Sequence, residues 1–132
     1  MFVSLIKNPP TLPHTILIVE DTEDTRFFMK FLLEHNGYLV LEAANGFEAI
    51  EVTKLKHPEL ILMDMSMPFM DGLTATRLIR ALEVDGNVPI IAVTAHGKEY
   101  LKLALVAGCN ELICKPVDFK ILGPILSQYL PA

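Results

Sequence analysis

Positive charge is scarce in this sequence. Eleven lysines and arginines face 16 aspartates and glutamates, for a net charge of -5 and a pI near 5.3. Nucleic-acid binders draw much of their affinity from Lys and Arg on phosphates, so no nucleic-acid partner is expected, and a protein or small molecule is expected instead. Cysteine is also rare. Cys109 and Cys114 stand at a C-x4-C spacing that fits neither a C-x-x-C redox pair nor a zinc knuckle, and they read as buried thiols in a reducing cytoplasm. Histidines 14, 35, 57 and 96 include no pair at helical ligand spacing and read as surface or cap residues. No apolar run reaches the length needed to cross a bilayer, so no membrane partner is expected. The opening stretch has a short apolar patch, but Lys7 and the prolines at 9, 10 and 13 interrupt it, so residues 1–14 read as a loose lead-in rather than a leader or anchor.

What is present is an alternation. A chain of 132 residues suits one domain that buries its core without disulfides. From Thr15 onward, short aliphatic or β-branched runs alternate with longer segments of helical period, the pattern of a parallel α/β sheet. Strands are expected at 16–20, 38–42, 60–64, 88–94 and 111–114. Helices are expected at 24–36, 46–56, 72–83, 98–107 and 118–130. The runs ILIVE, LILMD and VPIIAVT are nearly continuous in apolar residues, as central strands covered on both faces must be. Gly37 and Gly108 read as left-handed helix stops, and Pro58 and the Asp85-Gly86-Asn87 turn separate later helices from strands. Right-handed crossovers then give a doubly wound sheet.

Ligands of such sheets bind outside the carboxyl ends of the strands, where the strand order switches direction. Those ends carry Glu20-Asp21, Asp64, Thr94-Ala95 and Lys115-Pro116. Three carboxylates on one rim repel one another by up to ~4 kcal/mol per pair at 4 Å separation and an effective dielectric of 20. A compensating positive charge is required. Mg²⁺ prefers hard oxygen ligands and is completed by phosphate oxygens, and with the Lys115 ammonium it would let an anionic phosphodonor approach an anionic nucleophile.

These residues resemble those of the response-regulator receiver family (CheY-like, two-component signalling). The resemblance rests on Glu20-Asp21 after a hydrophobic strand, MDMSMPFMDG at 63–72, Thr94-Ala95, and Lys115-Pro116 before a final helix. It covers residues from Thr15 to the C-terminus, and so implies a receiver domain at 15–132. The fold it implies is flavodoxin-like, five parallel strands in the order 2-1-3-4-5 with helices on both faces. It further implies that Asp64 is the phosphoacceptor, charged from the phosphohistidine of a histidine kinase or histidine phosphotransfer protein. Asp21 and Asp64 would give carboxylate oxygens to Mg²⁺, Glu20 would reach it through water, and Ser66 would offer its backbone carbonyl. Thr94 and Lys115 would hold phosphoryl oxygens, beside Ala95, and Lys115-Pro116 would be a cis peptide. The implied role is a cytoplasmic switch that acts on a downstream protein, and not an enzyme.

The sequence departs from the family at Leu112, where a Tyr or Phe that moves with the Thr is usual. The Thr94 movement is therefore expected to pass through the following loop and helix 98–107 without a ring flip. The stretch from Thr94 to Gly108 is also about a residue shorter than in the family. His96 and Ser66 hold positions at which the family tunes phosphoryl lifetime. In the loop before helix 72–83, Pro68 fixes φ, Gly72 is free to adopt a positive φ, and Met65 reads as core filler. Helix 98–107 carries a core stripe of Leu101, Ala104 and Leu105 and a second apolar face of Tyr100, Leu103, Val106 and Ala107. Helix 24–36 is apolar through Phe27, Phe28, Met29, Phe31, Leu32 and Leu33, which suits either helix to a homodimer or a docked partner. No output domain follows the last helix, consistent with a stand-alone receiver or a piece of a larger regulator.

Three other readings compete. A pseudo-receiver would bind partners without phosphorylation, and Leu112 is its only support. A haloacid-dehalogenase-like phosphatase needs a second acid two residues after its nucleophile, where this chain has Ser66. A nucleotide site would need a glycine-rich loop after the first strand, where the acidic run Glu20 to Asp24 stands.

Overall fold

The computed structural model describes residues 13–82 and 87–131. Of the expected lead-in, 1–12 lies outside the described residues, as do Asp85 and Gly86 of the expected turn. The elements run β1 (Thr15–Val19), α1 (Glu23–His35), β2 (Leu39–Ala43), α2 (Gly46–Lys56), β3 (Leu60–Asp64), α3 (Gly72–Leu82), β4 (Ile90–Thr94), a 3₁₀ turn (Gly97–Tyr100), α4 (Leu101–Ala107), β5 (Glu111–Cys114) and α5 (Phe119–Tyr129). All strand pairs are parallel, in the order β2-β1-β3-β4-β5.

Strand period 2 sorts the core into two layers. Leu17, Val19, Ile61, Met63, Ile90 and Ala92 face one way, onto Ala49 of α2, Ala75 and Ile79 of α3 and Ala104 of α4. Ile16, Ile18, Leu60, Leu62, Ile91 and Val93 face the other, onto Met29 and Leu33 of α1 and Leu122 and Leu126 of α5. Every residue of β3 and β4 is buried, which accounts for their unbroken apolar runs. Each fully buried Leu or Ile contributes about 1.5–3 kcal/mol relative to its exposed form.

Helix ends follow the local chemistry. Asn45 caps α2 by accepting the Glu48 amide at 2.8 Å, and Glu48 Oε1 in turn accepts the Ala44 amide at 2.8 Å, a close variant of the reciprocal capping box. Asp118 caps α5 by accepting the Lys120 amide at 2.9 Å. Gly37 and Gly108 take the positive φ values of 91° and 118° expected of helix stops. Pro124 lies inside one continuous α5.

Three sequence expectations are corrected. The fourth strand starts at Ile90 rather than Val88, because Pro89 has no amide to give a ladder and the Val88 carbonyl is taken by Arg80 Nη1 at 2.7 Å. The fourth helix opens as a 3₁₀ turn, which shifts its phase. Its core stripe is Tyr100, Ala104 and Ala107, while Leu101 and Leu105 are 39% and 49% exposed. Cys114 is exposed and only Cys109 is buried, because β5 is an edge strand whose alternation turns Ile113 inward. Phe27, Phe28 and Phe31 of α1 are exposed; of the second apolar face expected on the fourth helix, Leu103 and Val106 are exposed but Tyr100 and Ala107 turn into the core. No helix among the described residues is long and apolar enough to cross a membrane.

Candidate functional site

The chain runs first from β1 to β2 and then crosses back to β3, so the order switches between β1 and β3. Glu20 follows β1 and continues its ladder, its amide donating to the Ala43 carbonyl at 3.0 Å. Asp64 ends β3, Thr94 ends β4, and Lys115 follows β5. Carboxylate oxygens of Glu20, Asp21 and Asp64 lie within 4.8 Å of one another. Glu20 is 1% and Asp64 3% exposed, Thr94 is fully buried, and Asp21 is open to solvent.

Among the described residues, Lys115 is the cation paired with this cluster. Lys115 Nζ lies 2.8 Å from Glu20 Oε1 and 3.3 Å from Asp64 Oδ2. Lys115-Pro116 is cis, as the resemblance implied. The Asp64 carboxylate is held unevenly. Its Oδ1 accepts the Ser66 amide at 3.1 Å, whereas Oδ2 is buried within ion-pair reach of Lys115 yet has no hydrogen bond. Burial, reinforced by the neighbouring Glu20 charge, pushes the Asp64 carboxyl up to about 6 against the pull of the Ser66 amide and Lys115. Burial acts the same way on Glu20, but the Lys115 hydrogen bond and the Thr22 amide at 3.1 Å outweigh it and hold Glu20 below the usual range. Burial would lower Lys115, and the Glu20 bond and both carboxylate charges raise it instead.

The residues fit a hard divalent cation. Three convergent carboxylates carry more negative charge than Lys115 neutralises, and one buried oxygen lacks a donor.

Other parts of the site were not legible as motifs. The positive φ of the loop after β3 falls on Phe69, at 69°, and not on Gly72. The Met70 amide donates to the Pro68 carbonyl at 2.8 Å across Phe69, which makes a tight γ-turn. Phe69 itself is 95% exposed, while Met65 is buried as expected. Gly72 is required for a different reason: a Cβ there would lie 2.2 Å from the Asp64 carbonyl oxygen. Thr94 Oγ1 accepts the His96 amide at 3.0 Å, and the His96 and Tyr100 rings are in contact. Leu112 is half-buried in the apolar cluster that includes Tyr100. Ser66 and Ala95 are exposed.

Residues 16–126 match the family described as response regulator receiver domain. The chain is 39% identical over 107 residues to the chemotaxis protein CheY of Bacillus subtilis, covering 80% of this chain and 88% of that protein. It is 40% identical over 109 residues to the CAI-1 autoinducer sensor kinase/phosphatase CqsS of Vibrio cholerae, covering 81% of this chain but only 16% of that protein. Among solved structures, the receiver domain of sensor histidine kinase PA1611 from Pseudomonas aeruginosa, with magnesium coordinated in its active-site cleft, superposes with a TM-score of 0.83 at 35% identity, covering 91% of this chain and 99% of that one.

Proposed function

Because the chain belongs to the response regulator receiver domain family, we propose that Asp64 is the residue through which it works as a phosphoacceptor switch. The observation that carries this is the Asp64 carboxylate, 3% exposed, with one oxygen lacking a hydrogen bond and lying 3.3 Å from Lys115 Nζ. The Asp64 carboxylate oxygen bonds phosphorus as the phosphorus–nitrogen bond to a donor imidazole breaks. The electron pair of that bond returns to the ring nitrogen, which takes a proton from solvent, and an acyl phosphate is left on Asp64.

Glu20, Asp21, Asp64 and the Ser66 carbonyl would hold Mg²⁺, which neutralises phosphoryl charge when bound. Lys115 contributes a fixed ammonium against the incoming phosphoryl oxygens, and Glu20 keeps it charged and oriented through their 2.8 Å bond. Thr94 supplies a hydroxyl, next to the exposed Ala95.

The donor is read as a histidine kinase or histidine phosphotransfer protein in the cytoplasm, and the recipient of the signal as another protein. The exposed phenylalanines of α1 and the aliphatic residues of α4 suit such contacts or a homodimer. Residues 15–132 are taken as the receiver domain and 1–14 as its lead-in. Its role is that of a signalling module, charged once per cycle, rather than a catalyst acting on a separate substrate.

Acetyl phosphate with Mg²⁺ tests the assignment. Intact mass is expected to rise by one phosphoryl group in the wild type and to stay unchanged in Asp64→Asn; an equal gain in both would overturn it.

A further inference from the structure

At position 112 this chain has Leu112 and therefore no ring to carry a signal away from Thr94. A different route leaves the same residue. Thr94 Oγ1 accepts the His96 amide at 3.0 Å, a two-residue side-chain-to-backbone bond that couples the hydroxyl to the His96 backbone. The His96 ring meets the Tyr100 ring, with centroids 5.5 Å apart and planes tilted by 31°. Tyr100 closes the 3₁₀ turn, precedes α4, and packs half-buried against the cluster that contains Leu112.

We infer that the His96–Tyr100 ring pair is this chain's readout of phosphorylation, taking the place of an aromatic at position 112. The inference rests on Asp64 being the phosphorylated residue. A phosphoryl group brings strong acceptor oxygens beside a buried hydroxyl that is able to donate. Movement of Thr94 Oγ1 toward them pulls on the bond to His96, draws the His96 backbone along and so displaces the ring pair. Gly97 gives the intervening chain room to respond: its φ is 67°, and a Cβ built on it would meet nothing within 4 Å. At its far end α4 is tied down by Arg80 Nε, which donates to the Gly108 carbonyl at 2.9 Å. Displacement at Tyr100 therefore tilts α4 about its C-terminus and re-aims the exposed Leu103 and Val106.

Fluorine NMR of protein labelled with 3-fluorotyrosine tests this, because the chain has only three tyrosines. The Tyr100 signal is assigned by its loss in Tyr100→Phe. Samples are charged with acetyl phosphate and Mg²⁺, and loading is read from the intact mass. Loaded wild type is expected to show a shifted Tyr100 signal, with Tyr38 and Tyr129 unmoved. His96→Ala, a change at an exposed residue, is expected to lose that shift at equal loading. An unmoved Tyr100 signal in loaded wild type, or a full shift in loaded His96→Ala, overturns the proposed readout. Failure of the wild type to load, or loading that persists in Asp64→Asn, overturns the phosphoacceptor assignment itself and is recognised by mass alone.

Discussion

Replacing Gly72 with alanine probes how tightly the fold fixes the carboxylate proposed to accept the phosphoryl group. The new Cβ would stand 2.2 Å from the Asp64 carbonyl oxygen and 2.9 Å from its carbonyl carbon, and the first of these is over 1 Å closer than the 3.4 Å at which ordinary contact begins. The 2.6 Å approach to Met65 Cε is relieved by rotation of a flexible side chain, but the Asp64 backbone is held in the centre of the sheet between β1 and β4. Overpacking of this kind costs about 1–3 kcal/mol, partly offset by up to ~1 kcal/mol from the better helix propensity of alanine. The larger effect falls on chemistry. A shift of the Asp64 backbone by about 1 Å carries its carboxylate with it, and a misplacement of that size costs on the order of 100-fold in rate. Urea denaturation and the rate of mass gain with acetyl phosphate measure the two effects. Gly46→Ala is the control, because the three atoms nearest its Cβ would all belong to the Met70 side chain, with Sδ at 2.7 Å. Wild-type stability together with a wild-type phosphorylation rate in Gly72→Ala would refute the reasoning.

Two further outcomes concern ionisation. Between pH 3.8 and about 6 folded Asp64 keeps a proton that the unfolded chain has released, so stability should fall as pH rises through that window and level off above it. Asp64→Asn should accordingly stabilise the protein without divalent cation at pH 7.5 by up to about 3 kcal/mol, with little gain at pH 4; in urea melts, Mg²⁺ should stabilise the wild type far more than the variant. At the amino ends of the central strands β1 and β3, His14 is hydrogen-bonded to Glu59, which raises the imidazole above 6.5 and lowers the carboxyl below 4.5. The stability from this pair is fully present below pH 6.5 and lost as pH rises through the raised His14 value, and it is present above pH 4.5 and lost as pH falls through the lowered Glu59 value. Both side chains are partly exposed, so the loss in His14→Ala at pH 5.5 should be under about 1 kcal/mol, and a flat difference from pH 5 to 9 would contradict it.

The sheet was legible because strands buried on both faces read as nearly continuous apolar runs, as β3 and β4 do up to their last residues, Asp64 and Thr94. The site was legible because its side chains hang from strand ends, where short motifs mark them. Interactions made by the backbone left weaker traces. Nothing in the composition of helix 98–107 announces that its first turn is 3₁₀, and the leucines that read as core beside Ala104 gave way to Tyr100 and Ala107. The cost of a Cβ at Gly72 comes from a carbonyl eight positions earlier, and the His96 amide bond to Thr94 involves no side chain of His96. Pairing of His96 with Tyr100 at i, i+4 was available as a spacing signal, but their residue types fit a solvent-facing turn equally well.

The central claim is a high-energy acyl phosphate on a single aspartate. Borohydride reduces such an anhydride and leaves homoserine in place of the aspartate, so reducing the freshly phosphorylated protein and sequencing its peptides by mass locates the acceptor. Homoserine at position 64 alone is the expected result; reduction at Asp21, or a phosphoryl group that survives on Ser66, would contradict the account.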